Sequence, residues 1–177
     1  MPLIKGEAFA ENVFTTLGDD EAAPFGRPIV VSLKRWQAER EQLIGRNVAL
    51  GVRLTPDQAP DALGEDVHRL AIVALEFPKF RDGRGYSWAR LLRQRLGFKG
   101  EIRAVGDVLR DQWLFMQRCG IDAFEVKPGT RIEDFCAAMG ELTVFYQPAS
   151  DQVTDVLALR HKRTMSARRG SLATAAE

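Results

Sequence analysis

Histidine and cysteine are scarce in this chain of 177 residues, with two of each. His68 and His161 lie far apart, and no run of residues has the spacing of a zinc or iron–sulfur ligand set, so no metal is expected. Cys119 and Cys136 form no Cys-x-x-Cys pair, and the expectation for both is a reduced, buried thiol in a cytoplasmic protein. Cys119 precedes Gly120 at the end of an expected helix, the wrong end for a helix dipole to stabilise a thiolate. Long hydrophobic runs are also missing. No apolar stretch approaches the roughly 20 residues that span a bilayer, and the amino terminus has no signal-peptide core. There is no phosphate loop, no Gly-x-Gly-x-x-Gly opening a helix after the first strand, and no Gly-x-Ser-x-Gly elbow, which leaves no cofactor to expect. Charge of one sign is not in excess, since 25 Lys and Arg face 24 Asp and Glu. The balance is uneven along the chain. Residues 160–177 carry five cations and one acid, so the preceding 159 residues have a net charge of −3. An acidic body argues against nucleic acid as a partner.

What is present is the composition of a folded protein, 45% hydrophobic and 28% charged, in a chain long enough for a real core. Strand and helix patterns alternate. Pro28–Ser32 reads as a strand and Leu33–Ile44 as a helix, with Ser32 as N-cap and Gly45 just past its end. Val48–Leu54 is a second strand, followed by a Thr55-Pro56-Asp57-Gln58 capping box, and Pro60 and Gly64 keep any helix there short. Leu70–Phe77 is a third strand, apolar almost throughout, and Trp88, Leu91, Leu92 and Leu96 give a helix. Glu101–Val105 is a fourth strand, with a helix capped by Asp107 running to Arg118. Asp122–Val126 is a fifth, and Thr130 to Glu133 read as a capping box before a helical stripe of Ile132, Phe135, Cys136 and Met139. Val144–Tyr146 suggests a further strand and Gln152–Leu159 a short element.

This rhythm predicts an α/β protein with a parallel sheet of about five strands built from consecutive βα units. Two architectures fit, an open doubly wound sheet, which is preferred, and a partial (β/α)-barrel. Residues 1–27 form an amino-terminal extension, with Leu3–Phe9 and Asn12–Leu17 as a small hairpin. Residues 28–159 form the α/β domain, and residues 160–177 a basic, flexible tail.

In either architecture, function sits at the carboxyl ends of the strands. The richest segment there is Phe77-Pro-Lys-Phe-Arg-Asp-Gly-Arg-Gly-Tyr-Ser-Trp88. Lys79, Arg81, Asp82, Gly83, Arg84 and Gly85 on this loop, with Arg103 and Asp107 beside them, are candidates for binding an oxyanion. Guanidinium groups match carboxylate, sulfate or phosphate, and glycines permit positive φ or close approach. The competing expectation is that Arg103 pairs with Glu125 or Glu76 across neighbouring strands. Helix Val108–Cys119 is apolar nearly all round, which calls for cover by the carboxyl-terminal segment, a partner or a second copy of the chain.

The composite motif Phe77–Ser87, Ala89–Arg93, Gly100–Gln112 and Arg118–Glu125, with Arg35-Trp36 and Tyr146-Gln147-Pro148, resembles a bacterial family called domain of unknown function 934. The resemblance covers roughly residues 28–148. It implies an association with assimilatory sulfate and sulfite reduction and a general oxidoreductase label, with no established catalytic residues to carry over. On this basis the chain is expected to be an accessory protein of sulfite reduction that docks on the reductase or its electron donor. The alternative is a small anion-binding enzyme or sensor using Arg81, Arg84 and Arg103, with Asp82 or Asp107 as acid–base or positioning groups.

Overall fold

A computed structural model describes residues 1–151 and 155–161. Eight strands form one sheet in the order β2-β1-β8-β7-β6-β5-β4-β3. They are β1 (Leu3–Lys5), β2 (Ala8–Ala10), β3 (Thr15–Thr16), β4 (Ile29–Ser32), β5 (Leu50–Leu54), β6 (Ile72–Phe77), β7 (Glu101–Gly106) and β8 (Ala123–Glu125). Strands β3 to β8 are parallel, and the hairpin of β1 and β2 adds antiparallel to β8. Between the strands lie α1 (Leu33–Ile44), a 3-10 stretch Pro60–Arg69, and α2 (Arg84–Arg90), which runs on into a π-helical turn Leu91–Arg95. They are followed by α3 (Trp113–Arg118) and α4 (Ile132–Gly140).

Strands β4 to β8 stand side by side in chain order, with no reversal and therefore no switch point. The helices pack on one face. Trp36 and Leu43, Leu63 and Val67, Ala89 and Leu92, Trp113 and Met116, and Phe135 and Ala138 all join one core with Val31, Val52, Val73, Ile102 and Phe124. The opposite face carries Val30, Ile72, Ala74 and Val105, with Phe14 against them. The sheet is thus a half-barrel, and the preferred doubly wound arrangement, which needs helices on both faces, gives way to the partial barrel.

Chain connectivity explains the curl. Ala10 ends β2 at one edge, and Thr15 opens β3 at the other. Five residue steps reach at most about 17 Å. Seven strand spacings in a flat sheet would span about 34 Å. The sheet must bend until residues 11–14 can bridge its edges, and this strap brings Phe14 onto the concave face. The expected hairpin between Leu3–Phe9 and Asn12–Leu17 is corrected accordingly. Its turn lies at Gly6, with φ of +63°, and residues 15–16 belong to the far edge.

Several local expectations change. Ser32 does cap α1, its hydroxyl accepting from Arg35 N–H at 3.1 Å, but Gly45 is right-handed, with φ of −67°. Asp107 does not cap the following helix. Gly106 turns the chain at φ of +99°, and helical structure starts only at Arg110, after Leu109. The Thr55–Gln58 box closes a turn, with Thr55 N–H donating to the Gln58 side chain at 3.0 Å. At Thr130 no capping box forms, since its hydroxyl donates back to Lys127 O at 2.8 Å. Residues 144–146 form no strand. Cys136 is exposed and Cys119 only half-buried, where burial of both was expected. Of the anticipated element at 152–159, residues 152–154 lie outside the described residues and 156–159 are helical, in a helix that runs on to 161. The basic tail from residue 162 onward lies outside the described residues. Among the described residues, no helix is long and apolar enough to cross a membrane.

Candidate functional site

Strand register decides which candidate residues meet. Arg103 faces Ala74 on one side and Ala123 on the other, so its side chain enters the concave face with Ile72, Ala74 and Val105. It is only 3% exposed. Its Nε donates to Glu101 Oε1 at 2.7 Å, and its Nη1 donates to Asn12 Oδ1 at 2.8 Å and Glu125 Oε1 at 3.4 Å. The guanidinium also lies over the Phe14 ring, 5.7 Å from its centre. Lys5 reaches Glu101 at 3.0 Å from the hairpin. The buried charge is therefore compensated within the chain, as burial demands. Glu76 does not join this cluster and pairs instead with Arg53 at 3.0 Å.

The loop after β6 is organised around Phe77. A Cβ on Gly85 would lie 2.5 Å from the Phe77 ring, and one on Gly106 would lie 2.5 Å from Phe77 O. Tyr86 stands edge-on to Phe77 at 5.5 Å, and burial pushes its hydroxyl pKa up to about 12. Asp107 N–H donates to Phe77 O at 2.7 Å, which ties the β7 exit to the loop. Gly85 thus serves packing, while Gly83 has φ of −87°, and a Cβ there would meet only Tyr86 Cδ2 in ordinary contact at 3.9 Å.

The loop charges divide into two groups. Asp82 accepts from Arg84 Nε at 2.9 Å and Nη2 at 2.7 Å, and also from Arg84 N–H at 3.3 Å. Hydrogen bonding by Arg84 holds the Asp82 carboxyl below its ordinary pKa. A fixed carboxylate therefore occupies the start of α2, where an incoming anion would otherwise be favoured. Asp107 pairs with Lys127 at 2.9 Å. Lys79 and Arg81 are exposed and make no ion pair among the described residues. Between them Phe80 is 52% exposed, while its carbonyl accepts from Gln112 Nε2 at 3.3 Å. The structure thus gathers Lys79, Arg81, Asp82, Gly83, Arg84, Gly85 and Asp107 at one edge and places Arg103 on the concave floor.

Sequence reasoning passed over Phe80. Its only signal was an aromatic side chain set between two cations in a polar loop. Asn12 and Phe14 were also missed, because their role arises from the crossing of the strap. The apolar helix α3 is largely covered. Trp113 packs on Phe135 with ring centres 5.2 Å apart, and Phe145 lies under the Arg118 guanidinium at 3.6 Å. Phe115 stays 50% exposed. Burial raises the pKa of the Cys119 thiol above its ordinary value. Among the described residues, no cluster of His, Cys, Asp and Glu has an arrangement suited to a metal ion.

No similarity to a curated protein is found. A protein-family comparison matches residues 51–157, from the second residue of β5 through the segment beyond α4, to a family described as a bacterial protein of unknown function (DUF934). Arg35 and Trp36, which also fit the sequence resemblance, lie outside the matched span. The match covers more than half of the chain, and the chain belongs to this bacterial family.

Proposed function

We propose that this chain is an accessory protein of assimilatory sulfite reduction that acts by docking on the reductase or its electron donor, with the Lys79-Phe80-Arg81 loop as the contact. The pathway assignment rests on the association carried by the sequence resemblance. The docking assignment is carried by one observation: a half-exposed phenylalanine is flanked by two cations without ion-pair partners among the described residues, next to a loop that is otherwise internally neutralised. Arg84 and Arg103 are engaged by carboxylates of the chain itself, so they do not converge on an open oxyanion pocket. An exposed aromatic with a cationic rim is the form of a docking anchor, because truncation of such a group removes buried contact area and desolvated charge together.

The test is a direct titration of the purified chain with purified sulfite reductase and, separately, with its electron donor. Binding to one of them is expected, weakening with salt. F80A and a K79E/R81E double variant should each weaken it by about tenfold or more, with unchanged circular dichroism. Absence of binding to both proteins, or binding that ignores both variants, overturns the proposal.

A further inference from the structure

A cavity of about 660 Å³ opens at the end of the sheet opposite to the loop at Phe80. Its position follows from the topology. Ile121 and Asp122 lead into the amino end of β8, and Gly6 turns the hairpin where Lys5 pairs with Ala123. The walls are Leu114 of α3, Phe124 of β8, Met139 of α4, and Leu142 and Phe145 of the segment that follows. Apolar side chains from four separate stretches therefore converge on one concavity, of a size typical of small-molecule sites.

The charged residues around it cancel in pairs. Arg93 Nη2 donates to Asp122 Oδ2 at 2.7 Å, and its Nε and Nη1 donate to the carbonyls of Gly120, Phe98 and Gly100 at 2.8 to 2.9 Å. Arg118 donates to Asp151 at 2.9 Å and to Gln147 O at 2.8 Å, with its flat face on Phe145. A charged ligand would lose hydration there and meet no unpaired countercharge among the described residues. Gln117 and Thr143 also line the cavity and make no side-chain hydrogen bond among the described residues, which leaves an amide and a hydroxyl available.

We infer that this cavity binds an uncharged, largely apolar small molecule bearing a hydrogen-bonding group that Gln117 or Thr143 reaches. The site is independent of the docking loop. Leu142, 47% exposed at the rim, would be covered by such a ligand, and a ligand there would tie the segment after α4 to the sheet.

The probe is Nile red, an uncharged apolar dye, titrated against the full chain by fluorescence. Saturable binding at one site is expected, with an affinity that stays level between about 50 and about 500 mM salt. L142E, at an exposed position, places a charge at the rim, and L114W fills the cavity from α3. Each should weaken binding by about tenfold or more, while F80A leaves it unchanged. If L114W fails to fold by circular dichroism, L142E alone decides. Non-saturable binding, undiminished binding by L142E, or tighter binding of an anionic dye of similar size overturns the assignment.

Discussion

Gly83 and Gly85 are two residues apart in one loop and read alike as glycines that loosen a backbone. Their surroundings separate them. A methyl group on Gly83 meets only Tyr86 Cδ2 at 3.9 Å, whereas one on Gly85 runs into the ring of Phe77, which is buried and held edge-on by Tyr86. Alanine within α2 would gain about 1 kcal/mol of helix propensity over glycine. Overpacking against a rigid buried ring costs about 1–3 kcal/mol, and the near approach to Phe77 puts Gly85 toward the upper end. G85A is therefore expected to lose about 1–2 kcal/mol in urea unfolding, after the propensity gain is set against the clash. G83A should stay within about 0.5 kcal/mol of the parent. Equal effects at the two positions would show that the loop glycines share one role. Nothing in the spacing Gly-Arg-Gly distinguishes them, because the distinction lies in a ring contributed by the preceding strand.

Among the elements, α1 was legible to its ends because everything that defines it is local. The Ser32 hydroxyl meets an N–H three residues on, and Leu33, Trp36 and Leu43 fall on one buried side. The start of α3 was not legible. Asp107 has the chemistry of a cap, but Gly106 turns the chain so that Asp107 meets Lys127 from the far side of β8, a partner that no local rule supplies. Strand β3 has two residues and exists because β4 lies beside it. The strap that follows β2 is equally non-local, and Arg103 is its reason for resting where it does. Asn12 and Phe14 both touch that side chain, together with Glu101 and Glu125. R103M would leave those two carboxylates facing each other in a mostly buried setting. Breaking such a cluster from one side costs about 3–5 kcal/mol, and Lys5, still bound to Glu101, keeps the expectation near about 3. Adding E101Q and E125Q to R103M should restore part of that loss, since no buried charge then lacks a partner. A denaturation series in which R103M lies within about 0.5 kcal/mol of the parent would remove Arg103 from the account of how the strap is held.

At the scale of the molecule, a βα rhythm and a parallel sheet could be read from the alternating patterns, but the number of covered faces could not. Apolar strands such as Ile72–Phe77 look the same whether helices lie on both sides or whether one side is closed by an aromatic from a strap and a few ion pairs. Connectivity settles it, because the span available to residues 11–14 forces the edges together. The family match begins at Gly51 and so leaves out β1 to β4, α1 and the strap. A fragment of residues 51–157 would keep four parallel strands and lose both of their outer neighbours. The β5 edge would be bare, β8 would lack β1, and the concave side of Ile72, Ala74 and Val105 would lose Val30 and Phe14. On the convex side it would lose Trp36, one of the largest fully buried side chains in the core. Exposed edges and an uncovered apolar face favour association over folding. The fragment is therefore expected to lack the cooperative thermal transition of the full chain and to elute as aggregates in size-exclusion chromatography. Supplying residues 1–50 as a separate chain should restore folded material, since it returns β4 to the β5 edge, β1 to the β8 edge and the strap to Arg103. A fragment that melts cooperatively within about 5 °C of the full chain, roughly the shift of 1 kcal/mol in a domain of this size, would show that the matched segment carries its own core and that the closure of the half-barrel is dispensable.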